Sequence, residues 1–130
     1  MEVHMSREHG KYWGRQQFLL VYTELITAAR YRGTITYQEI AAILGIYKAG
    51  NHMAREVGLM LGEIVESEVR NGQPMLSAIA VSSNGKPSDG FYILAHNLGL
   101  LSEDTPEARK RFLDDQQRAV YDTWKKEPKA

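Results

Sequence analysis

One segment near the middle of the chain constrains the fold most, because it reads as a short helix, a turn and a longer helix in direct succession. Thr36 and Glu39 stand at the spacing of a capping box, which predicts the start of the short helix. Gly45 is expected to end that helix. An apolar stripe at helical spacing predicts the longer helix over residues 51–69. This succession is typical of a helix-turn-helix.

The residues after the longer helix predict a strand and a hairpin turn. Small and β-branched residues over 75–82 are typical of a strand. The dipeptide Asn84-Gly85 is a strong signal for a hairpin. The following segment, residues 91–98, either continues as a strand or begins a helix, and its pattern is more helical. Together these features predict a winged helix-turn-helix over about residues 34–91, in which the hairpin is the wing.

Two further helices are predicted outside this core. Apolar periodicity predicts one over about residues 12–31 and another over about residues 105–125. A chain of 130 residues is long enough to bury a core of its own. We therefore expect a single domain over residues 1–130 of the mainly α (α+β) class, with N- and C-terminal helices added to the winged helix-turn-helix.

The composition narrows the class of protein and its location. The chain has no cysteine, which excludes disulfides, cysteine metal ligands and a cysteine nucleophile, and which suits a reducing compartment. No apolar run approaches the length of about eighteen residues that indicates a membrane span. The N-terminal residues also lack the apolar core of a signal peptide. We expect a cytoplasmic protein that does not span a membrane.

Three short motifs resemble one known family. The runs "TITYQEIAAILG", "AREVG" and "PMLSAIAVSSNG" together resemble the C-terminal winged-helix domain of the alkylguanine DNA alkyltransferases and the alkyltransferase-like proteins. The resemblance covers residues 34–91, under half of the chain. It implies that Tyr37 contacts the DNA backbone beside a flipped nucleotide, and that Arg55 fills the space that the flipped base leaves.

The chain departs from that family at the reactive residue. When Pro74 is aligned with the family's proline, Ile79 stands at the position of the cysteine and Ala80 at that of the histidine. Alkyl transfer needs a thiolate, so this chain cannot perform it. No other catalytic motif is present, and the four histidines are scattered without the spacing of metal ligands. We expect a non-enzymatic protein that uses no cofactor and no metal.

Duplex DNA is the first predicted partner, and the longer helix is expected to enter its groove. The residues expected to contact bases or phosphates, with Tyr37 at the backbone, are Tyr37, Lys48, Asn51, His52, Arg55, Asn84 and Lys86. Each has a plainer interpretation: Tyr37 as packing at the core edge, Arg55 as a solvated partner of an acid, and the others as surface or turn residues. The formal net charge of zero weakens the prediction of DNA binding.

The alternative is an interaction or sponge protein on the same scaffold, for example a phage-encoded inhibitor. Such a protein binds a host protein, or captures a nucleotide between the third helix and the predicted strand. Ser77 then hydrogen-bonds the ligand, although a serine bonded to the backbone is the plainer interpretation. The acidic residues Glu63, Glu66 and Glu68 of the third helix favour this alternative over DNA.

Two further features are ambiguous in the sequence. Gly58 and Gly62 form a G-x-x-x-G pattern, which indicates either close packing of another helix or the approach of a ligand or DNA backbone. The aromatic residues of the outer helices either build a homodimer or complete the core; they are Tyr12, Trp13, Tyr121 and Trp124.

Overall fold

The computed structural model describes residues 10–126, and these residues form five α-helices, one 3-10 helix and two short strands. The mainly α (α+β) class is confirmed. In chain order the elements are α1 Gln16–Arg30, β1 Ile35–Thr36, α2 Tyr37–Ile43, α3 Asn51–Arg70, the 3-10 helix Leu76–Ile79, β2 Ala80–Val81, α4 Asp89–Asn97 and α5 Pro106–Trp124.

The predicted pair of central helices is confirmed, and so is the signal that starts the first of them. The backbone N–H of Glu39 donates to Thr36 Oγ1 at 3.1 Å, and the backbone N–H of Thr36 donates to Glu39 Oε1 at 2.8 Å. Each of these bonds satisfies a backbone donor that the end of a helix would leave without a partner. The next helix, α3, extends one residue beyond its predicted end, to Arg70.

The first flanking helix is shorter than predicted. It begins at Gln16 rather than near residue 12, because the chain forms a turn at residues 11–14 in which Gly14 has φ 79°. A residue in this left-handed conformation cannot continue a right-handed helix. The last helix, Pro106–Trp124, agrees with its prediction, and Ala108 N–H donates to the hydroxyl of Thr105 at its start.

The predicted strand and wing are wrong in the described part of the chain. Of residues 75–82, only Ala80–Val81 form a strand, and they pair in parallel with Ile35–Thr36. The turn exists, since Ser82 N–H donates to the carbonyl of Lys86 at 2.9 Å, but no second strand follows it in residues 10–126. Helix α4 begins at residue 89 instead, as the helical pattern of residues 91–98 indicated.

The core explains why the 75–82 run misled the strand prediction. Every residue from Met75 to Val81 is buried, because the segment passes beneath α1, α3 and α5. Two side-chain amides of α5 hold it there: Gln116 Oε1 accepts from Met75 N–H at 2.9 Å, and Gln117 Nε2 donates to the carbonyl of Ala78 at 3.0 Å. Continuous burial therefore produces the apolar run without an extended strand.

The aromatic residues of the outer segments mostly complete the core. Tyr12 is buried, and Tyr121 and Trp124 are half-buried against the core cluster. The hydroxyl of Tyr121 donates to the carbonyl of Gly33 at 2.8 Å. Trp13 remains exposed, with its ring centroid 5.2 Å from that of Phe18 in an edge-to-face arrangement. The homodimer stays a prediction, with Trp13 the most exposed of the four aromatic residues proposed for it.

Candidate functional site

A pocket of about 420 Å³ lies between α3, α4 and the 3-10 helix. This volume falls within the range of about 300–1,000 Å³ that is usual for small-molecule sites. Its lining is mostly apolar and includes three serines; the lining residues are Tyr37, Gly50, Met53, Ala54, Val57, Gly58, Leu61, Gly62, Ser77, Ser82, Ser88, Gly90, Phe91 and Leu94.

Helix α3 forms one wall of the pocket, and its two glycines leave that wall open. A Cβ atom built on Gly58 or on Gly62 meets no heavy atom within 4 Å. No other helix packs against these positions in the described chain, so the predicted close packing is wrong. Val57 and Leu61 supply the apolar surface beside the glycines. The G-x-x-x-G pattern therefore marks open space, which agrees with the alternative that a ligand approaches here.

Ser77 lies in the 3-10 helix and supplies a buried polar group to the pocket. The residue is 4% exposed, and its Oγ has no hydrogen-bond partner among the described residues. The plainer interpretation, a serine bonded to the backbone, is therefore wrong in this structure. A buried hydroxyl without a partner costs about 1–3 kcal/mol, and a polar group of a bound ligand would remove that cost.

Tyr37 joins the pocket to the start of α4. Its hydroxyl oxygen accepts a hydrogen bond from Ser88 N–H at 2.8 Å, and both residues line the pocket. This bond fixes the first residues of α4 against α2. Phe91 and Leu94 of α4 then form the wall that faces α3. Of the eight predicted contact residues, Tyr37 and Ser77 are thus brought into one site.

The other predicted contact residues lie on the surface. Lys48, Asn51, His52 and Lys86 are exposed. Arg55 is exposed too, and its Nε lies 3.8 Å from a carboxylate oxygen of the neighbouring Glu56. This arrangement matches the interpretation of a solvated arginine beside an acid.

The side chain of Asn84 stabilises the turn after β2. Its Oδ1 accepts from Ser82 Oγ at 2.6 Å and from Lys86 N–H at 2.9 Å. The amide oxygen is therefore used within the protein, as in an ordinary polar turn.

Three acidic residues of α3 point toward the N-terminal segment and α1, away from the pocket. They are Glu56, Glu63 and Glu68. Glu56 accepts from Lys11 Nζ at 2.7 Å and from the hydroxyl of Tyr12, and the bond from Lys11 holds the pKa of Glu56 below its ordinary value. Glu63 accepts from Tyr12 N–H at 3.0 Å, and burial raises its pKa. The acidity of α3 is therefore largely directed inward.

Glu68 differs from Glu56 and Glu63 in the hydrogen bonding of its carboxylate. It is buried, Tyr22 donates to its Oε2 at 3.1 Å, and its Oε1 has no partner among the described residues. Burial raises the pKa of Glu68, and the Tyr22 hydrogen bond opposes that rise only partly. A carboxylate in such a position favours its neutral form.

We expect Glu68→Gln to raise the free energy of unfolding at pH 7. Because the pKa of Glu68 is higher in the folded state than in the unfolded state, its favourable contribution exists below the unfolded pKa and is lost as pH rises through the folded pKa. Glutamine keeps the acceptor for Tyr22 and has no charge. Urea denaturation at pH 7 and pH 5 should show a smaller difference between variant and wild type at pH 5. An equal difference in the free energy of unfolding at both pH values would contradict a raised pKa of Glu68 in the folded state.

No family model, curated protein or solved structure matches the chain. The resemblance to the alkyltransferases, the partners DNA, host protein and nucleotide, and the cytoplasmic location stay predictions. Within residues 10–126, no group of three His, Asp or Glu side chains is placed to hold a metal ion. None of the helices in this part of the chain combines the length and the apolar character that crossing a membrane requires.

Sequence reasoning missed the contribution of α4 to the pocket. Ser88, Gly90, Phe91 and Leu94 all line it. Their spacing predicts a helix but does not say which element that helix faces. The G-x-x-x-G pattern of α3 was the available signal, since two glycines on the same face of a helix require either a close neighbour or open space.

Proposed function

We propose that this protein is a non-enzymatic binding module that holds a small organic molecule in the pocket between α3 and α4. The observation that supports the proposal most is the Ser77 hydroxyl, which is buried in the wall of an open pocket and has no partner among the described residues. The described lining contains no carboxylate, imidazole or amine. Binding is therefore better supported than acid–base catalysis.

The lining also indicates the shape and polarity of the ligand. Met53, Val57 and Leu61 face Phe91 and Leu94 across the space between the two helices. Two apolar walls of this kind suit a flat ring, and aromatic side chains favour stacking or edge contacts with such a ring. With no charge in the described lining, the buried part of the ligand should be neutral and should carry a polar atom for Ser77.

A neutral apolar dye tests the proposal without knowledge of the natural ligand. We expect N-phenyl-1-naphthylamine to gain fluorescence on binding the wild-type protein, because its naphthalene ring fits between the apolar walls. Gly62→Leu should weaken this binding at least about tenfold, since the leucine side chain projects into space that is open within 4 Å. The measurement is a fluorescence titration, with the fold of each variant checked by circular dichroism.

The control variant separates the pocket from ordinary apolar surface. Leu59 lies on the same helix, is 43% exposed and does not line the pocket. Leu59→Ala should leave the affinity for the dye unchanged. Equal binding by wild type and Gly62→Leu, or loss only in Leu59→Ala, would show that the dye binds elsewhere and would overturn the proposal.

Duplex DNA is a second candidate, and one observation favours it. Asn51, His52 and Arg55 are exposed in the first turns of α3, while Glu56 and Glu63 are directed toward the N-terminal segment. The acidic residues of α3 therefore oppose a contact with DNA less than the sequence of the helix indicates. The contact would use α3 and the turn at residues 82–86, in place of the antiparallel wing.

Fluorescence anisotropy of a labelled duplex tests this second candidate. Binding by the DNA route should weaken steeply with salt, because phosphate contacts release counterions. It should also fall in Arg55→Ala but not in Arg118→Ala, whose side chain is similarly exposed on α5. Absence of binding at low salt, or equal losses in both variants, would remove duplex DNA as a partner.

A further inference from the structure

The pocket opens beside the N-terminus of α3, which lacks a capping side chain. Gly50 is the N-cap residue and also lines the pocket. In the described structure no side chain caps the first turn, and that turn contains no acidic residue. The first N–H groups of this 20-residue helix therefore present partial positive charge with no side-chain acceptor. An anion is stabilised at such a helix end.

A second helix end lies at the same pocket, but its charge is already balanced. Ser88 is the N-cap residue of α4 and lines the pocket, as Gly50 does. The first turn of α4 contains Asp89, whose carboxylate is 2.9 Å from Nη1 of Arg109. An acidic side chain in the first turn compensates the helix dipole. Of the two ends, only that of α3 has no carboxylate in its first turn.

Two cations lie near this end of α3. Lys48 lies in the segment before the helix, and Arg55 lies on the helix surface. Lys48 precedes Gly50 by two residues and is exposed. Arg55 precedes Gly58 by three positions, so it lies on the same side of α3 as that glycine. Its side chain is 63% exposed and has only a 3.8 Å contact with Glu56. Both side chains can reach solvent and both can contribute positive charge to an anion at the pocket mouth.

The orphaned hydroxyl of Ser77 is independent of the helix end and also points to a ligand. It lies in the 3-10 helix, on a different element from the α3 N-terminus, and it lines the same pocket. The pocket thus combines two apolar walls, one buried hydroxyl without a partner among the described residues, and one uncapped helix end. A ligand that uses all three has a ring, a polar ring substituent and an anionic group.

We propose that the ligand is a phosphate monoester that carries an aromatic base, of the nucleoside monophosphate class. Its ring lies between α3 and α4 with a polar atom on Ser77, and its phosphate lies at the first turn of α3, near Lys48 and Arg55. This inference rests on the proposed function, since it names the ligand class of the same pocket. The phosphate accepts from backbone N–H groups, and such bonds to a charged acceptor are the stronger kind.

Isothermal titration calorimetry tests the inference with the monophosphates of adenosine, guanosine, cytidine and uridine, the four unphosphorylated nucleosides, and inorganic phosphate. At least one monophosphate should bind about tenfold or more tightly than its own nucleoside. Lys48→Gln/Arg55→Gln should reduce that ratio of dissociation constants at least about threefold. The matched pair Lys110→Gln/Arg118→Gln removes two exposed charges from α5 and should leave the ratio unchanged.

The outcomes separate the inference from the function on which it rests. If no monophosphate binds more tightly than its own nucleoside, or if none of the four nucleosides and four monophosphates binds while the neutral dye does, the inference is wrong and the proposed function stands. If the monophosphates bind Gly62→Leu as tightly as wild type, the ring does not occupy the pocket and the inference is also wrong. If the dye does not bind the wild-type protein, the proposed function itself fails.

Discussion

Replacing both Gly58 and Gly62 with alanine is expected to raise the free energy of unfolding by about 2 kcal/mol. Glycine is about 0.8–1.0 kcal/mol less favourable than alanine inside a helix, and a Cβ at either position meets no atom within 4 Å. The fold therefore gains nothing from these glycines that alanine would remove. Urea denaturation of the single and double variants measures the gain, which should be close to additive.

Gly72 is the matched control for this result. It lies two residues beyond the end of α3 and has φ 77°, a conformation in which an alanine side chain is strained. Gly72→Ala should therefore lower the free energy of unfolding by about 1–2 kcal/mol. A loss of stability in Gly58→Ala or Gly62→Ala would mean that the helix packs there against something, and the pocket would not be open at that wall.

The double variant Gln116→Leu/Gln117→Leu is expected to lower the free energy of unfolding by about 2–6 kcal/mol. Gln116 accepts from the N–H of Met75 and Gln117 donates to the carbonyl of Ala78, and both backbone groups belong to fully buried residues. Each substitution leaves one buried backbone group without its partner, at a cost of about 1–3 kcal/mol. Urea denaturation checks the loss of stability.

The double variant should also bind more weakly at the pocket, because these two amides hold the segment that carries Ser77. The affinity for N-phenyl-1-naphthylamine should fall in the double variant under conditions where circular dichroism shows that it is still folded. Gln38→Leu, at an exposed position of α2, is the control for adding an apolar side chain. A double variant as stable as Gln38→Leu would show that solvent satisfies Met75 and Ala78 equally well.

The parts of the fold that follow from local chemistry were predictable. The capping box of Thr36 and Glu39 depends on residues three positions apart, and it was read correctly from their spacing. The apolar stripe of α3 was likewise sufficient to locate that helix. Of the strand predicted over residues 75–82 only β2 forms, and this short strand was not predictable in this way. Its partner, Ile35–Thr36, lies far away in the sequence, and burial from three sides produces the same apolar run as a strand.

The candidate site was predictable only in part for the same reason. Tyr37 was identified through the resemblance to the alkyltransferase winged-helix domain, and Ser77 because it is a polar residue in an otherwise apolar run. The facing wall could not be identified, since Phe91 and Leu94 look like ordinary core residues of a helix. The direction of Glu56 and Glu63 toward Lys11 and Tyr12 also depends on a docking of distant segments. Sequence spacing within one element does not contain that information.

The support of the pocket by α5 has a consequence for the order of events during protein synthesis. Gln116 and Gln117 bond to residues 41 and 39 positions earlier in the chain. A nascent chain that has left the ribosome only as far as α4 already contains Ser77 and both glycines of the pocket. It does not yet contain the two amides that fix the 3-10 helix. Under the proposed function, the pocket reaches its binding form only when α5 has docked, so ligand binding would report the docking of that helix.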